Sequence, residues 1–73
     1  MKHYRITLLC NDIETYRSDP EWFSVCFDLY RTIVQAYESV GYRVMNSNQR
    51  GDEVSVTLEL GDQRRVVSLE ENT

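Results

Sequence analysis

The segment from Asp19 to Tyr42 constrains the fold most, because it carries two neighbouring apolar stripes where a small domain usually needs one. The stripes appear when the segment is wound as a helix at about 100° per residue. The first stripe contains Trp22, Val25, Cys26, Leu29, Ile33, Ala36, Tyr37 and Val40. The second contains Phe23, Phe27, Tyr30 and Val34. So much apolar surface must be buried in the chain's own sheet or in a partner.

The residues that flank this segment predict where the helix begins and ends. Ser18 and Glu21 have the spacing of a capping box, and Pro20 suits the first turn, where its missing N–H costs nothing. Gly41 can adopt the left-handed conformation that ends a helix, and Tyr42 can pack back on the last turn. The sequence therefore predicts both ends of the helix.

Strands are predicted on both sides of the helix. Residues 4–10 alternate between apolar and more polar side chains, which is typical of a half-buried strand. Residues 11–17 are interpreted as an acidic connecting loop, with a short hairpin return through residues 13–17 as the alternative. After the helix, residues 42–46 predict a short strand, and residues 47–52 predict a polar loop.

A β-hairpin is predicted near the end of the chain. Apolar and polar residues alternate over residues 53–60, and Gly61-Asp62 supplies a two-residue turn into residues 63–69. This register matches apolar with apolar and acid with base. The predicted pairs are Val56 with Val67, Val54 with Leu69, and Glu59 with Arg64.

Together these elements predict an α+β fold, with a single helix on one face of a four-stranded, mostly antiparallel sheet. The predicted order is strand, helix, strand, strand, strand. Residues 1–69 form a single compact domain in this interpretation, and the acidic tail 70–73 is expected to fray because it has no apolar anchor. A helix about 10–12 Å across cannot cover four strands spanning about 19 Å. The second stripe therefore either completes the core or stays exposed for a partner.

Composition narrows the function classes. Twelve acidic and eight basic residues give a net charge of −4, which disfavours nonspecific binding to nucleic acid or to anionic membranes. No apolar run suits a membrane span or a signal peptide, so we expect a cytoplasmic protein. Cys10 and Cys26 are then expected to be buried thiols rather than disulfide or metal ligands.

The residues that catalysis needs are missing. His3 is the only histidine, and no serine or cysteine near it has a nucleophile arrangement. The paired carboxylates lie in predicted loops or at the chain end, with no apolar pocket that would shift their pKa. The three glycines are isolated and form no phosphate-binding loop. We therefore expect no enzyme, no cofactor and no metal site.

Two functional hypotheses remain. The leading one is a small noncatalytic protein-binding module that docks through an aromatic helix stripe, with acidic residues assisting recognition of the partner. A homodimer through the same stripe is one form of this hypothesis. Its candidate residues are Phe23, Phe27, Tyr30, Val34, Asp28 and Glu38. Size, acidity and surplus aromatic surface fit inhibitors that phages and mobile elements direct against host nucleic-acid enzymes or defence complexes. The alternative is a nucleic-acid-binding accessory protein that uses Arg5, Arg43 and Arg64 on the open sheet face.

Overall fold

One helix packs on one five-stranded antiparallel sheet in the computed structural model, which describes residues 2–72. The elements are β1 (Tyr4–Cys10), β2 (Ile13–Arg17), α1 (Phe23–Ser39), β3 (Arg43–Arg50), β4 (Glu53–Leu60) and β5 (Gln63–Glu71). The order across the sheet is β2-β1-β5-β4-β3. The first and last strands of the chain are therefore neighbours near the middle of the sheet, and β2 and β3 form its edges.

The predicted four-stranded sheet is wrong, because residues 11–17 form a turn and a strand rather than a loop. Asn11 and Asp12 have φ values of +50° and +69°, and Cys10 pairs with Ile13 across them. Positive φ at both central residues matches a type I′ hairpin turn, which asparagine and aspartate tolerate. The structure thus confirms the alternative interpretation, a hairpin return through residues 13–17, although a bulge opposite Leu8 and Leu9 interrupts the alternation of this strand.

The segment after the helix also differs from the prediction. The predicted short strand 42–46 and polar loop 47–52 are together one eight-residue strand, β3, and a two-residue turn at Gly51-Asp52. β3 lies at the sheet edge and all of its residues are exposed, so it needs few apolar side chains. The β4–β5 hairpin is confirmed, with Val56 opposite Val67, Val54 opposite Leu69, and Glu59 opposite Arg64.

The helix begins later than predicted, and the capping box does not form. Ser18 instead serves β1: its Oγ accepts the Ile6 N–H at 2.8 Å, and its own N–H donates to the Ile6 carbonyl at 2.9 Å. The backbone of Glu21 likewise exchanges two hydrogen bonds with Tyr4. Residues 18–21 therefore extend the pairing along β1, and Trp22 stands at the N-cap without a side-chain cap.

The end of the helix is as predicted. Gly41 has a φ of +107°, its N–H donates to the Glu38 carbonyl at 3.0 Å, and the Tyr42 N–H donates to the Tyr37 carbonyl at 3.1 Å. The Tyr37 and Tyr42 rings meet edge to face at 5.0 Å between centroids. These contacts form a Schellman motif, which satisfies the last carbonyls of the helix and redirects the chain into β3.

The core lies between α1 and the middle of the sheet. The buried apolar residues are Tyr4, Ile6, Cys26, Val56, Leu58, Val67 and Leu69. The helix rests on β1 and β5, and partly buried side chains from α1 complete the cluster. The helix does not cover the edge strands β2 and β3, and all of their residues are exposed.

The acidic end of the chain takes part in the sheet. Glu70 pairs with Arg5 and Glu71 pairs with Tyr4, although the sequence predicts that this tail frays. The Asn72 N–H donates to the His3 carbonyl at 2.7 Å. Met1 and Thr73, the outer limits of the predicted domain and tail, lie outside the described residues.

Two leucines on the same face of β4 provide a matched test of this core. Leu58 is fully buried, whereas Leu60 is 43% exposed. We expect Leu58→Ala to lower the free energy of unfolding by about 2–5 kcal/mol, because it leaves a cavity. Leu60→Ala should lower it by less than about 1 kcal/mol. Urea denaturation of both variants checks this, and equal losses would contradict the placement of the core.

Candidate protein-binding site

The buried face of α1 runs between the two predicted stripes rather than along one of them. Cys26 is the only fully buried helix residue among those described, and Tyr30, Ile33 and Tyr37 are partly buried against the same core. Three members of the second stripe, Phe27, Tyr30 and Val34, are half-buried and pack against the core. They therefore complete the core, whatever surface they also offer to a partner.

Several apolar residues at the margins of this face remain exposed. Trp22 is 46% exposed, Val25 49% and Val40 65%, although all three belong to the stripe expected to cover the sheet. Phe23, from the other stripe, is 39% exposed. Of the four aromatic-stripe candidates, Phe23 alone is thus an exposed residue.

A row of aromatic rings connects Phe23 to the core. The centroid distances are 5.2 Å from Tyr4 to Phe23, 5.6 Å from Phe23 to Phe27, and 6.2 Å from Phe27 to Tyr30. Tyr4 is held at its far end, because its hydroxyl donates to Oδ2 of Asp52 at 2.9 Å. The row fixes the Phe23 ring in place while leaving one side of it exposed.

Trp22 stacks on His3, with 4.9 Å between ring centroids and 27° between ring planes. Trp22 at the N-cap, and Phe23 and Val25 in the first turn, are all exposed, and we call these three residues the helix-start patch. Sequence reasoning identified Phe23 but assigned Trp22 and Val25 to the core. No sequence signal would have identified Trp22, because the predicted helix starts earlier and places Trp22 inside it.

Exposed acidic residues accompany the patch. Asp19 and Glu21 precede it in the chain, and the predicted candidates Asp28 and Glu38 lie exposed farther along the helix. Within residues 2–72 none of these four carboxylates forms an ion pair.

The three candidate arginines lie on the open sheet face, but acidic residues are placed among them. Arg64 forms ion pairs with Glu59 at 3.2 Å and with Asp12 at 3.8 Å. Arg43 lies opposite Glu59 in the neighbouring strand, and Arg5 lies opposite Glu70. His3 precedes β1 and stacks on Trp22. The face therefore mixes both signs of charge, which weakens its attraction for phosphate.

Both cysteines are free thiols. Cys26 is buried, and desolvation together with the nearby carboxylate of Glu21 raises the pKa of its thiol. A raised pKa keeps the thiol protonated and unreactive near neutral pH. In the part of the chain that the structure describes, no group of three or more His, Cys, Asp or Glu side chains is placed to hold a metal ion.

Comparison of the chain with protein-family models, with curated proteins and with solved structures finds no match. Between residues 2 and 72 no helix is long and apolar enough to cross a membrane. The geometry of the helix-start patch is therefore what bears on function.

Phe23 and Phe27, one helical turn apart, provide a matched test of which ring belongs to the core. We expect Phe27→Asp to lower the free energy of unfolding by at least about 2 kcal/mol, because it places a charge against the core. Phe23→Asp should cost less than half as much, because its ring is already partly in water. Thermal and urea denaturation check this, and a larger loss for Phe23→Asp would contradict the assignment.

The hydrogen bond between Tyr4 and Asp52 predicts a titration effect. The bond to the Asp52 carboxylate, followed by burial, raises the pKa of Tyr4 above its usual 10.0. The stabilisation is therefore complete below about pH 10 and is lost as the pH rises through the folded-state value. Asp52→Asn should lower the pKa of Tyr4, as read from tyrosinate absorbance with Tyr4→Phe as the reference. An unchanged pKa in Asp52→Asn would contradict this hydrogen bond.

Proposed function

We propose that this chain is a small noncatalytic protein-binding module that docks through the helix-start patch. The observation that carries the proposal is the exposure of two consecutive large aromatic residues, Trp22 and Phe23, each of which contacts a second ring. Large aromatic side chains are costly to leave in water, and they dominate the binding energy of many interfaces. Their placement on the surface is best explained by a partner that covers them.

The support beneath the patch also favours binding. Trp22 stacks on His3, and Phe23 lies between Tyr4 and Phe27, so both rings are already oriented in the free protein. Rings that are fixed before binding lose little conformational entropy when a partner covers them. The patch is therefore a preorganised anchor rather than a flexible apolar surface.

Charge suggests the chemistry of the partner. Asp19 and Glu21 lie next to the patch in the chain, and the whole molecule carries a net charge of −4. A partner surface with an apolar pocket and lysine or arginine around it would complement both features. Host nucleic-acid enzymes have such basic surfaces. An inhibitory role, like that of a phage inhibitor, therefore stays a prediction, and identification of the partner tests it.

Site-specific photo-cross-linking tests the patch in its native surroundings. We expect benzoylphenylalanine in place of Trp22 to form a covalent adduct with a partner, whereas the same residue in place of Gln35, on the exposed helix surface, should not. Mass spectrometry identifies the adduct. An adduct with a second copy of the chain would assign the patch to a homodimer, and adducts from position 35 alone would contradict the proposal.

Matched substitutions measure what the patch contributes. We expect Trp22→Ala with Phe23→Ser to weaken binding of the cross-linked partner by at least about a hundredfold, or about 2.7 kcal/mol. Val40→Ser removes an exposed apolar residue at the far end of the helix and should leave affinity unchanged. Circular dichroism confirms that both variants fold. Equal affinities of the two folded variants would contradict the docking surface.

The nucleic-acid hypothesis has its own test. The open face carries Arg5, Arg43 and Arg64, but it has acidic neighbours, and none of the aromatic residues within the five strands faces that way by strand register. We expect no measurable binding of single-stranded RNA or DNA at physiological salt. Affinity that falls steeply with added salt, and that is lost in Arg5→Glu, would favour the nucleic-acid hypothesis instead.

A further inference from the structure

The edge strand β3 has main-chain groups that β4 does not use. A two-residue turn makes Arg50 and Glu53 a hydrogen-bonded pair, and such pairs alternate along an antiparallel ladder. The backbone groups of Ser47 and Gln49 therefore point away from β4. The structure agrees, because the Ser47 N–H donates to Oδ1 of Asn46 at 3.0 Å. An added strand would replace this local hydrogen bond.

The two edges of the sheet are protected to different degrees. β2 has five residues, a bulge and an ion pair between Glu14 and Arg17, and residues 18–21 cover the rest of β1. Short length, bulges and charge are the usual means by which proteins block strand addition at an edge. β3 has eight residues. It too has a bulge, between Val44 and Asn46, but residues 46–49 pair regularly with β4 and contain neither charge nor proline. Its central part is open to pairing.

Positive charge lies at both ends of β3. Arg43 and Arg50 are exposed and lie opposite Glu59 and Glu53, so both arginines are on the open face of the sheet. Neither forms an ion pair within the described residues. Because β3 has no acidic residue, its charge is opposite to that of the whole chain.

We propose that β3 accepts an extended segment of another protein by strand addition, and that this segment carries acidic residues six positions apart. Arg43 and Arg50 are seven positions apart, but the bulge in β3 accounts for one of these positions. The spacing of six is therefore that of Glu53 and Glu59, which face the same two arginines from β4. Main-chain hydrogen bonds to Ser47 and Gln49 hold the segment, and its two carboxylates set the register against Arg50 and Arg43. A second copy of β3 is a poor occupant, because it brings only further arginines to the seam.

A synthetic peptide provides the probe: acetyl-Ser-Glu-Thr-Val-Thr-Val-Thr-Glu-Ser-amide, with glutamates at the proposed spacing. We expect it to shift the amide resonances of Ser47 and Gln49 in the NMR spectrum of the full chain and to slow their hydrogen exchange. A peptide with lysine at both glutamate positions should bind at least about tenfold more weakly. Arg43→Glu with Arg50→Glu should reverse this preference.

Two substitutions at one position separate the backbone from the side chain. Ser47→Ala keeps the outward N–H and should bind the glutamate peptide as the unaltered chain does. Ser47→Pro removes that N–H, which an edge strand tolerates, and should weaken binding by at least about tenfold. If Ser47→Pro does not fold, the resonance shifts of the unaltered chain decide.

Four results would overturn the proposal. They are equal affinity for the glutamate and lysine peptides, equal affinity of folded Ser47→Pro and Ser47→Ala, and peptide-induced shifts confined to β2 or α1. The fourth is a homodimer of the free chain in sedimentation that Ser47→Pro dissociates, because β3 would then bind a second copy.

Discussion

The pairing of β1 with β5 is the contact on which the rest of the structure depends. It places Ile6 beside Leu69 and Leu8 beside Val67, although these residues come from opposite ends of the chain. Four of the seven buried apolar residues lie on these two strands, and the helix rests on both. The remaining strands add to the outer sides of this pair. Without it the helix would have no apolar platform.

The width of the helix then determines which surfaces stay exposed. Edge strands of a five-stranded sheet lie about 19 Å apart, whereas a helix with its side chains is about 10–12 Å across. α1 covers the middle strands and leaves β2 and β3 exposed. The polar residues Ser47 and Gln49 on the helix side of β3 fit this limit. Trp22 and Val25 do not fit this limit, because they are apolar and yet exposed. This discrepancy distinguishes the helix-start patch from the rest of the surface.

Features set by neighbouring residues were predictable from the sequence. The β4–β5 register follows from Gly61-Asp62 and the alternation on either side of it, and the helix end follows from Gly41. The β1–β2 hairpin was only the alternative interpretation, because its turn uses Asn11-Asp12 and a bulge interrupts its alternation. Residues 46–49 have no apolar pattern, so their strand was interpreted as a loop.

Features set by distant contacts were not predictable. Ser18 and Glu21 have capping-box spacing, but they form hydrogen bonds with β1 instead of capping the helix. No pattern among neighbouring residues indicates this. The two helix stripes were identified correctly as apolar, yet the sheet decides the rotation of the helix about its axis. That rotation buries Cys26 between the stripes, exposes Trp22 and half-buries Phe27. Only one of the exposed patch residues, Phe23, was therefore identified in advance.

The exposure of the helix-start patch in the free protein is the central claim, and Trp22 reports on it directly because it is the only tryptophan. Acrylamide quenching of tryptophan fluorescence, measured on the dilute protein, gives the accessibility of the ring. We predict quenching intermediate between a buried indole and the unfolded chain in urea, and loss of that quenching when the partner binds. A Trp22 as shielded as a core residue in the dilute free protein would contradict the claim.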